Sequence, residues 1–329
     1  MTRVWRFHKL GGPDVLQLDT LTRPLIGADD IHFQVRAIGL NRSDLNFRRD
    51  EYIQKAVLPA RFGYEAAGTV IACGSNVHHF KPGDDVFVLP PDDLSVQGTS
   101  ADELVLPERY FVHKPANISF EQASAVWMSY LTAWGGVIHA AGIKKGDYVL
   151  ITAASSSVGI AAIQLARQAG AIPIATVRDS QWKERLRENG AAHVIATDTE
   201  DLLTELTSIT GPEGLSAAFD AVGGSQVMDI ARALKKKGRL IIHGYLSSEP
   251  TPFPLRLAIR KSLTVQGYLF ADILKSDTLS GQARQHILNG LVTGALIPLI
   301  DRSFPFTKMR EAQEYMEGTS RLGKVVITV

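Results

Sequence analysis

Residues 148–166 read Tyr-Val-Leu-Ile-Thr-Ala-Ala-Ser-Ser-Ser-Val-Gly-Ile-Ala-Ala-Ile-Gln-Leu-Ala, and this stretch decides the fold. The run 148–152 is apolar and rich in β-formers, 153–157 are small residues, and a helical pattern begins at Val158. A strand, a tight turn and a helix in that order present backbone N–H groups and a helix N-terminus to a dinucleotide pyrophosphate. The usual glycines are replaced by Ala154, Ser155, Ser156 and Ser157, and only Gly159 is left. Serine tolerates close approach and adds a hydroxyl, but it does not adopt positive φ cheaply. Taken alone, the turn reads equally as a nucleotide cradle or as a structural turn. The stretch is uncharged and nominally long enough to span a bilayer, yet the serines and the change of period at its middle mark a buried strand and helix.

Outward from this unit, 140–270 alternates strand and helix. Strands are expected at 172–177, 193–196, 217–221, 239–243 and 263–268, and helices at 158–168, 181–189, 201–210 and 226–234. That spacing implies a doubly wound parallel sheet with right-handed crossovers. Before residue 125 the texture is one of short alternating runs (31–38, 67–72, 85–89, 103–106) between Gly/Pro/Asp turns, as in a β-rich, barrel-like domain. After 270 come a helix at 281–292, a loop with Pro298 and Pro305, a helix at 307–317 and a strand at 324–329. This tail is too short to form a domain and is expected to pack on the first one. The expected organisation is therefore 1–124 with 270–329 as one domain, and 125–269 as an inserted nucleotide domain.

A chain of 329 residues with 45% hydrophobic and 21% charged content suits an enzyme of about two domains. The net charge of +1 gives no field favouring nucleic acid or a membrane surface. Lys235, Lys236 and Lys237 read as cations complementing a helix C-terminus. A single cysteine, Cys73, excludes a disulfide framework and a multi-cysteine zinc site. It suits a reducing compartment, and the N-terminus lacks an apolar signal core, so a cytoplasmic location is expected.

Where the second strand of the nucleotide unit ends, at Val177, an acidic residue would select a ribose 2′-hydroxyl. The chain offers Arg178, Ser180 and Lys183 instead. Guanidinium and ammonium suit a 2′-phosphate, which favours NADPH over a merely solvated charged face. Glycine turns at 220–224 and 243–245 follow two later strands, on the side where open α/β sheets bind ligands.

With these features in place, the chain resembles the medium-chain dehydrogenase/reductases, in particular the zinc-independent, quinone oxidoreductase-like branch. The resemblance covers essentially the whole chain. It rests on Gly-Leu-Asn-Arg-Ser-Asp (39–44), Gly-Tyr-Glu-Ala-Ala-Gly-Thr-Val (63–70), Phe-Lys-Pro-Gly-Asp-Asp-Val (80–86), Leu-Thr-Ala-Trp (131–134), the 148–166 unit and Gly-Lys-Val-Val (323–326). It implies a GroES-like β-rich catalytic domain with an inserted Rossmann domain, NADPH binding in the cleft, and homodimers paired through the last Rossmann strand. By the same resemblance Asn41 and Thr132 lie near the nicotinamide ribose. Ala154, Ser155, Ser156, Ser157 and Val158 hold the pyrophosphate, Arg178 and Lys183 the 2′-phosphate, and Gly244, Tyr245 and Phe270 border the cofactor run. Members with catalytic zinc place cysteine where this chain has Asn41 and histidine where it has Tyr64. Glu65 alone is no zinc site, and His78-His79 reads as a loop before Lys81, so no metal is expected.

Without a metal to polarise an alcohol or ketone, the expected acceptors are already electrophilic small molecules, namely quinones or α,β-unsaturated carbonyls. The candidates for catalysis are Asn41, donating through its amide, and Tyr52 or Tyr64 through a phenol. Tyr52 reads equally as a proton donor over the slot or as a loop aromatic packed on the surface. Asp44 reads as a brace of the 41–48 helix. Trp127 and Met128 read as slot wall or as core. The alternatives are an enoyl-thioester reductase and a non-catalytic NADPH-binding redox sensor.

Overall fold

Six parallel strands build the sheet of the nucleotide unit, in the order His193–Ala196, Ile172–Val177, Tyr148–Ile151, Leu215–Asp220, Leu234–Ile242, Thr264–Gly267. Numbered along the chain this order is 3-2-1-4-5-6, so the winding reverses between Tyr148–Ile151 and Leu215–Asp220. Such reversals are where doubly wound sheets bind dinucleotides. The computed structural model describes residues 1–318 and 321–329. Its two compact units are Met1–Met128 with Ile297–Val329, and Ser129–Leu296. The fold class is the expected one.

Helix Ser157–Gln168 follows the first strand of the nucleotide unit. It starts because Ser156 is extended (φ −71°, ψ 159°) and its Oγ accepts from the Gly159 N–H at 3.0 Å. It stops at Gly170, whose φ of 77° suits glycine. Between these ends Ile160, Ile163 and Leu165 are fully buried, each contributing about 2 kcal/mol of burial. Around Ile174, Leu150, Ala218 and Leu240, on four successive strands of the sheet, Leu206, Ile230 and Val227 from two helices close the other side of the core.

The unit boundaries differ from the expected ones at both ends. Residues 270–296 belong with the nucleotide unit rather than with the tail. Helix Asp277–Val292 is held there by His286, whose Nδ1 accepts from Trp134 Nε1 at 3.0 Å and whose Nε2 donates to Gln168 Oε1 at 2.9 Å. Trp127 and Met128 belong with the first unit, where Trp127 stacks on Phe87 (centroids 4.6 Å apart) and the Met128 N–H donates to Glu65. Trp127 is thus core.

The lysine triplet is also placed differently. Lys235, Lys236 and Lys237 are exposed in the leading part of strand Leu234–Ile242. The cation that caps helix Val227–Ala233 is Lys261, whose Nζ donates to the carbonyls of Ala231, Arg232 and Leu234 at 3.3, 2.5 and 2.6 Å.

In the first unit, Asp30–Gly39 is the central strand, flanked by Glu65–Cys73 and the C-terminal strand Lys324–Thr328, both antiparallel to it. Ile300–Pro305, Asp85–Val88, Phe111–His113 and Glu103–Pro107 complete the sheet, and Thr2–Phe7 pairs with Leu16–Leu21 in a separate hairpin.

The ring of His243 stacks on Phe219 with centroids 3.9 Å apart, and burial pushes its pKa down to about 3. The folded state therefore refuses a proton that the unfolded chain takes up near pH 6.5, so this residue's cost appears as the pH falls through 6.5. Relative to the wild type, His243→Phe should gain on the order of 1 kcal/mol on going from pH 7.5 to 5.0. Urea unfolding of both proteins at the two pH values checks this, and an unchanged difference would refute it.

Candidate functional site

The turn between Ile151 and Ser157 departs from expectation in where its strain falls. Positive φ occurs at Ala153 (48°), while none of the three serines has it. The serines therefore replace glycine without conformational cost, and the left-handed residue is an alanine, at about 1–2 kcal/mol. Gly159 cannot be replaced: a Cβ there would lie 2.6 Å from both the Cα and the carbonyl oxygen of Ala154. That contact packs the helix start directly on the turn. Ser156 N–H donates to Ala153 O at 3.0 Å and Ala154 N–H to Thr176 O at 2.9 Å. The N–H groups of Ser157 and Val158, ahead of the first helical bond, have no acceptor among the described residues. The turn thus fits a pyrophosphate on chemical grounds: free donors and a helix N-terminus.

Across the switch point the ends of the two strands are locked together. Buried Asp220 accepts from Thr152 Oγ1 at 2.6 Å, from Val222 and Gly223 N–H at 3.0 Å each, and from Gln226 Nε2 at 3.3 Å. The two later glycine turns are joined as well, since Leu246 and Ser247 N–H donate to the carbonyls of Ala221 and Val222 at 3.1 and 2.9 Å. Gly244 approaches Ala221 so closely that a Cβ would lie 2.8 Å from its carbonyl oxygen. Tyr245 is 71% exposed, whereas Phe270 is buried at the start of helix Ala271–Leu274. Thr132 lies on helix Trp127–Ala133, where the neighbouring Leu131 carbonyl accepts from Tyr268 Oη at 3.2 Å.

The two cations at the second strand's end are not equivalent. Arg178 is exposed and has no hydrogen bond or ion pair among the described residues. Lys183 is held by Glu200 at 2.7 and 2.8 Å, and Glu200 also accepts from Ala196 N–H. Asp179, an acidic residue beside Arg178 that sequence reasoning passed over, accepts from Gln181 N–H at 3.0 Å and caps the following turn.

In the first unit Asn41 caps helix Arg42–Arg48, and its own N–H donates to Asp44 Oδ2 at 2.8 Å. Asp44 is thereby the expected brace, and its complete burial pushes its carboxyl up to about 7. The Asn41 side chain lies against Glu65 and Lys324, both fully buried. Tyr52 and Tyr64 share a hydrogen bond and an edge-to-face contact with centroids 6.2 Å apart. Burial and then the Tyr52 neighbour push the Tyr64 phenol well above its usual pKa, so it stays protonated. Among the described residues no three His, Cys, Asp or Glu side chains gather as a metal site.

Two family descriptions match the chain, an alcohol dehydrogenase GroES-like domain over residues 27–116 and a zinc-binding dehydrogenase over 157–285. The rat synaptic vesicle membrane protein VAT-1 homolog is 28% identical, covering 96% of this chain and 81% of its own, and human quinone oxidoreductase is 26% identical over 99% and 98%. Escherichia coli quinone oxidoreductase complexed with NADPH superposes over all of both chains with a TM-score of 0.90 and 28% identity. The chain is a medium-chain dehydrogenase/reductase, quinone oxidoreductase-like. Other members are similar too. An NAD-dependent alcohol dehydrogenase matches with a TM-score of 0.91 and 29% identity over 99% of both chains, and the CurK enoyl reductase with 0.88 and 26%, again over 99% of both.

For this oxidoreductase, sequence reasoning missed Lys324, Asp220 and Thr152. Lys324 was quoted within Gly-Lys-Val-Val, yet nothing local marks a lysine as buried. The turn itself makes opposite predictions for two small substitutions. Gly159→Ala should cost about 1–3 kcal/mol by overpacking. Ala153→Gly should gain up to about 1 kcal/mol, relief of left-handed strain exceeding the added chain entropy. Thermal unfolding of the two variants checks both signs.

Proposed function

We propose that this oxidoreductase uses NADPH to reduce quinones or α,β-unsaturated carbonyl compounds by hydride transfer, without a metal. The observation that carries the reading is the nucleotide turn at the 3-2-1-4-5-6 switch point, with unpaired Arg178 at the end of the neighbouring strand. When bound, NADPH supplies the hydride. Ser157 and Val158 N–H groups would receive the pyrophosphate, and Gly159 lets the helix start pack on the turn that presents them. Arg178 receives the 2′-phosphate with a guanidinium. Asp179, the nearby carboxylate that would favour a ribose 2′-hydroxyl, is engaged in capping the next turn. Lys183 contributes only by leaving Glu200.

Reduction of a conjugated carbonyl leaves an anionic oxygen or carbon that must be protonated. The hydrogen-bonded Tyr52–Tyr64 pair supports that role through its phenol O–H groups, with Tyr52 the better donor because burial makes Tyr64 the weaker acid. The metal-free reading is supported by the Lys324 ammonium beside Glu65 and Asn41, where a divalent cation would meet a fixed positive charge. Strand Thr264–Gly267 is a sheet edge, and Leu246, Phe253, Leu255 and Ile259 are more than half exposed, which supports a homodimer through this edge. No helix among the described residues is long and apolar enough to cross a membrane.

The test is a titration of the protein with NADPH and NADH by cofactor fluorescence, followed by a panel of quinones, enones and enoyl thioesters. NADPH should bind more tightly than NADH, and a quinone or enone should oxidise it. Arg178→Ala should weaken NADPH about tenfold, one charge-assisted contact, and leave NADH unchanged. Preference for thioesters would turn the reading to an enoyl reductase, and binding without oxidation to a sensor.

A further inference from the structure

One imidazole ties three helical elements of the nucleotide unit together. His286, on helix Asp277–Val292, reaches both the π-helical segment Trp134–Ala140 and the last residue of helix Ser157–Gln168. An indole N–H can only donate, so Trp134 Nε1, 3.0 Å away, requires His286 Nδ1 to be unprotonated. The ring's one proton then lies on Nε2, which donates to Gln168 Oε1 at 2.9 Å. The two partners thus dictate both the charge and the tautomer of this ring: it is neutral, with its N–H at Nε2.

The tryptophan is poorly placed to adapt to a second proton. Trp134 is buried, its ring parallel to that of His139 with centroids 6.1 Å apart, and the nearby Gly136 lies so close to Phe219 that a Cβ would overlap that ring. A proton at Nδ1 would set N–H against N–H and leave a buried donor without its acceptor. Among the described residues no carboxylate faces the ring to stabilise the charge. On the surrounding elements Arg167 runs along Gly190, Lys145 along Gly170, and Asp272 pairs with Lys275. On the ring's own helix Arg284 donates to the Ser280 carbonyl, and Asp277 stands at the far start. The Tyr268 phenol donates to the Leu131 carbonyl. His286 also borders an open groove lined by Gln168, Gly281, Gln282, Gln285 and Asn289, none of them charged. Water therefore reaches the ring, while burial holds its pKa below the ordinary histidine value.

We propose that His286 is a proton-operated latch: uptake of a proton at Nδ1 breaks its bond to Trp134 and frees helix Asp277–Val292 from the segment Trp134–Ala140, while the rest of the nucleotide unit stays folded. The imidazolium keeps its Nε2 bond to Gln168 and gives the new N–H to water in the groove. Closure has its full strength above about 6.5, the ordinary pKa of a freed imidazole, and weakens as the pH falls below that value. The latch needs no bound ligand and is independent of the cofactor reading.

Hydrogen exchange read by mass spectrometry on the full-length protein at pH 7.5 and 5.0 tests the latch. Wild type and His286→Asn are compared at each pH, so that intrinsic exchange rates cancel; the asparagine amide oxygen can accept from Trp134 and does not titrate. Relative to His286→Asn, wild-type exchange over 277–292 should rise about fivefold on going to pH 5.0, the loss of one net hydrogen bond. Helix Leu202–Thr210, which packs through Leu206 in the main core, should show no such rise. Trp134→Phe, which removes the indole donor, should raise exchange over 277–292 already at pH 7.5 and abolish the further rise at pH 5.0. No rise in the wild type, an equal rise over 202–210, or an undiminished rise in Trp134→Phe would overturn the proposal. If His286→Asn does not fold, His286→Gln serves as the non-titrating reference and is read in the same way.

Discussion

Buried Asp220 is the joint on which the nucleotide unit depends. It stands at the end of the fourth strand of that unit and takes a hydroxyl donor from Thr152 at the end of the first, together with two N–H groups of its own turn. A carboxylate removed from water requires such donors, and each charge-assisted bond is stronger than a neutral one. Their effect is to hold two strand ends at the switch point in one geometry. The turn after Thr152 and the glycine turn after Asp220 are thus fixed relative to each other before any ligand arrives, which is the preorganisation that binding favours.

A second buried charge arrangement organises the first unit. Lys324 and Glu65 are both withdrawn from solvent, and desolvation offsets much of their attraction. Their value lies less in stability than in direction, since a donor-only and an acceptor-only group beside one amide leave it a single orientation. Asp44, in the first turn of the helix that Asn41 caps, follows a different course. With burial dominating, its carboxyl is pushed up to about 7, so it braces the helix cap while holding a proton far more readily than an exposed carboxylate.

Much of the architecture was legible along the chain because it is periodic. Strands 172–177 and 193–196 coincide with the observed ones, and the helix expected at 158–168 is observed as Ser157–Gln168. The lysine triplet misled because a charge run carries no sign of which element it flanks, and the actual cap, Lys261, comes from a helix 27 residues beyond Leu234. Residues 270–296 misled because the contacts that place them, Trp134 with His286 and His286 with Gln168, join positions more than 100 residues apart.

The sequence by itself determined the βαβ alternation, the position of the phosphate turn and the family motifs, since each is written in neighbouring residues within one or two elements. Only the tertiary structure decided which of two cations is free, Arg178 rather than Lys183, and that positive φ falls on Ala153 while the serines are relaxed. It also decided that the Asn41 amide faces a lysine 283 residues away. The physical reason is common to all three. Hydrogen-bond sense, ion pairing and backbone strain are set by partners brought together through strand register, and register is not a local property of the chain.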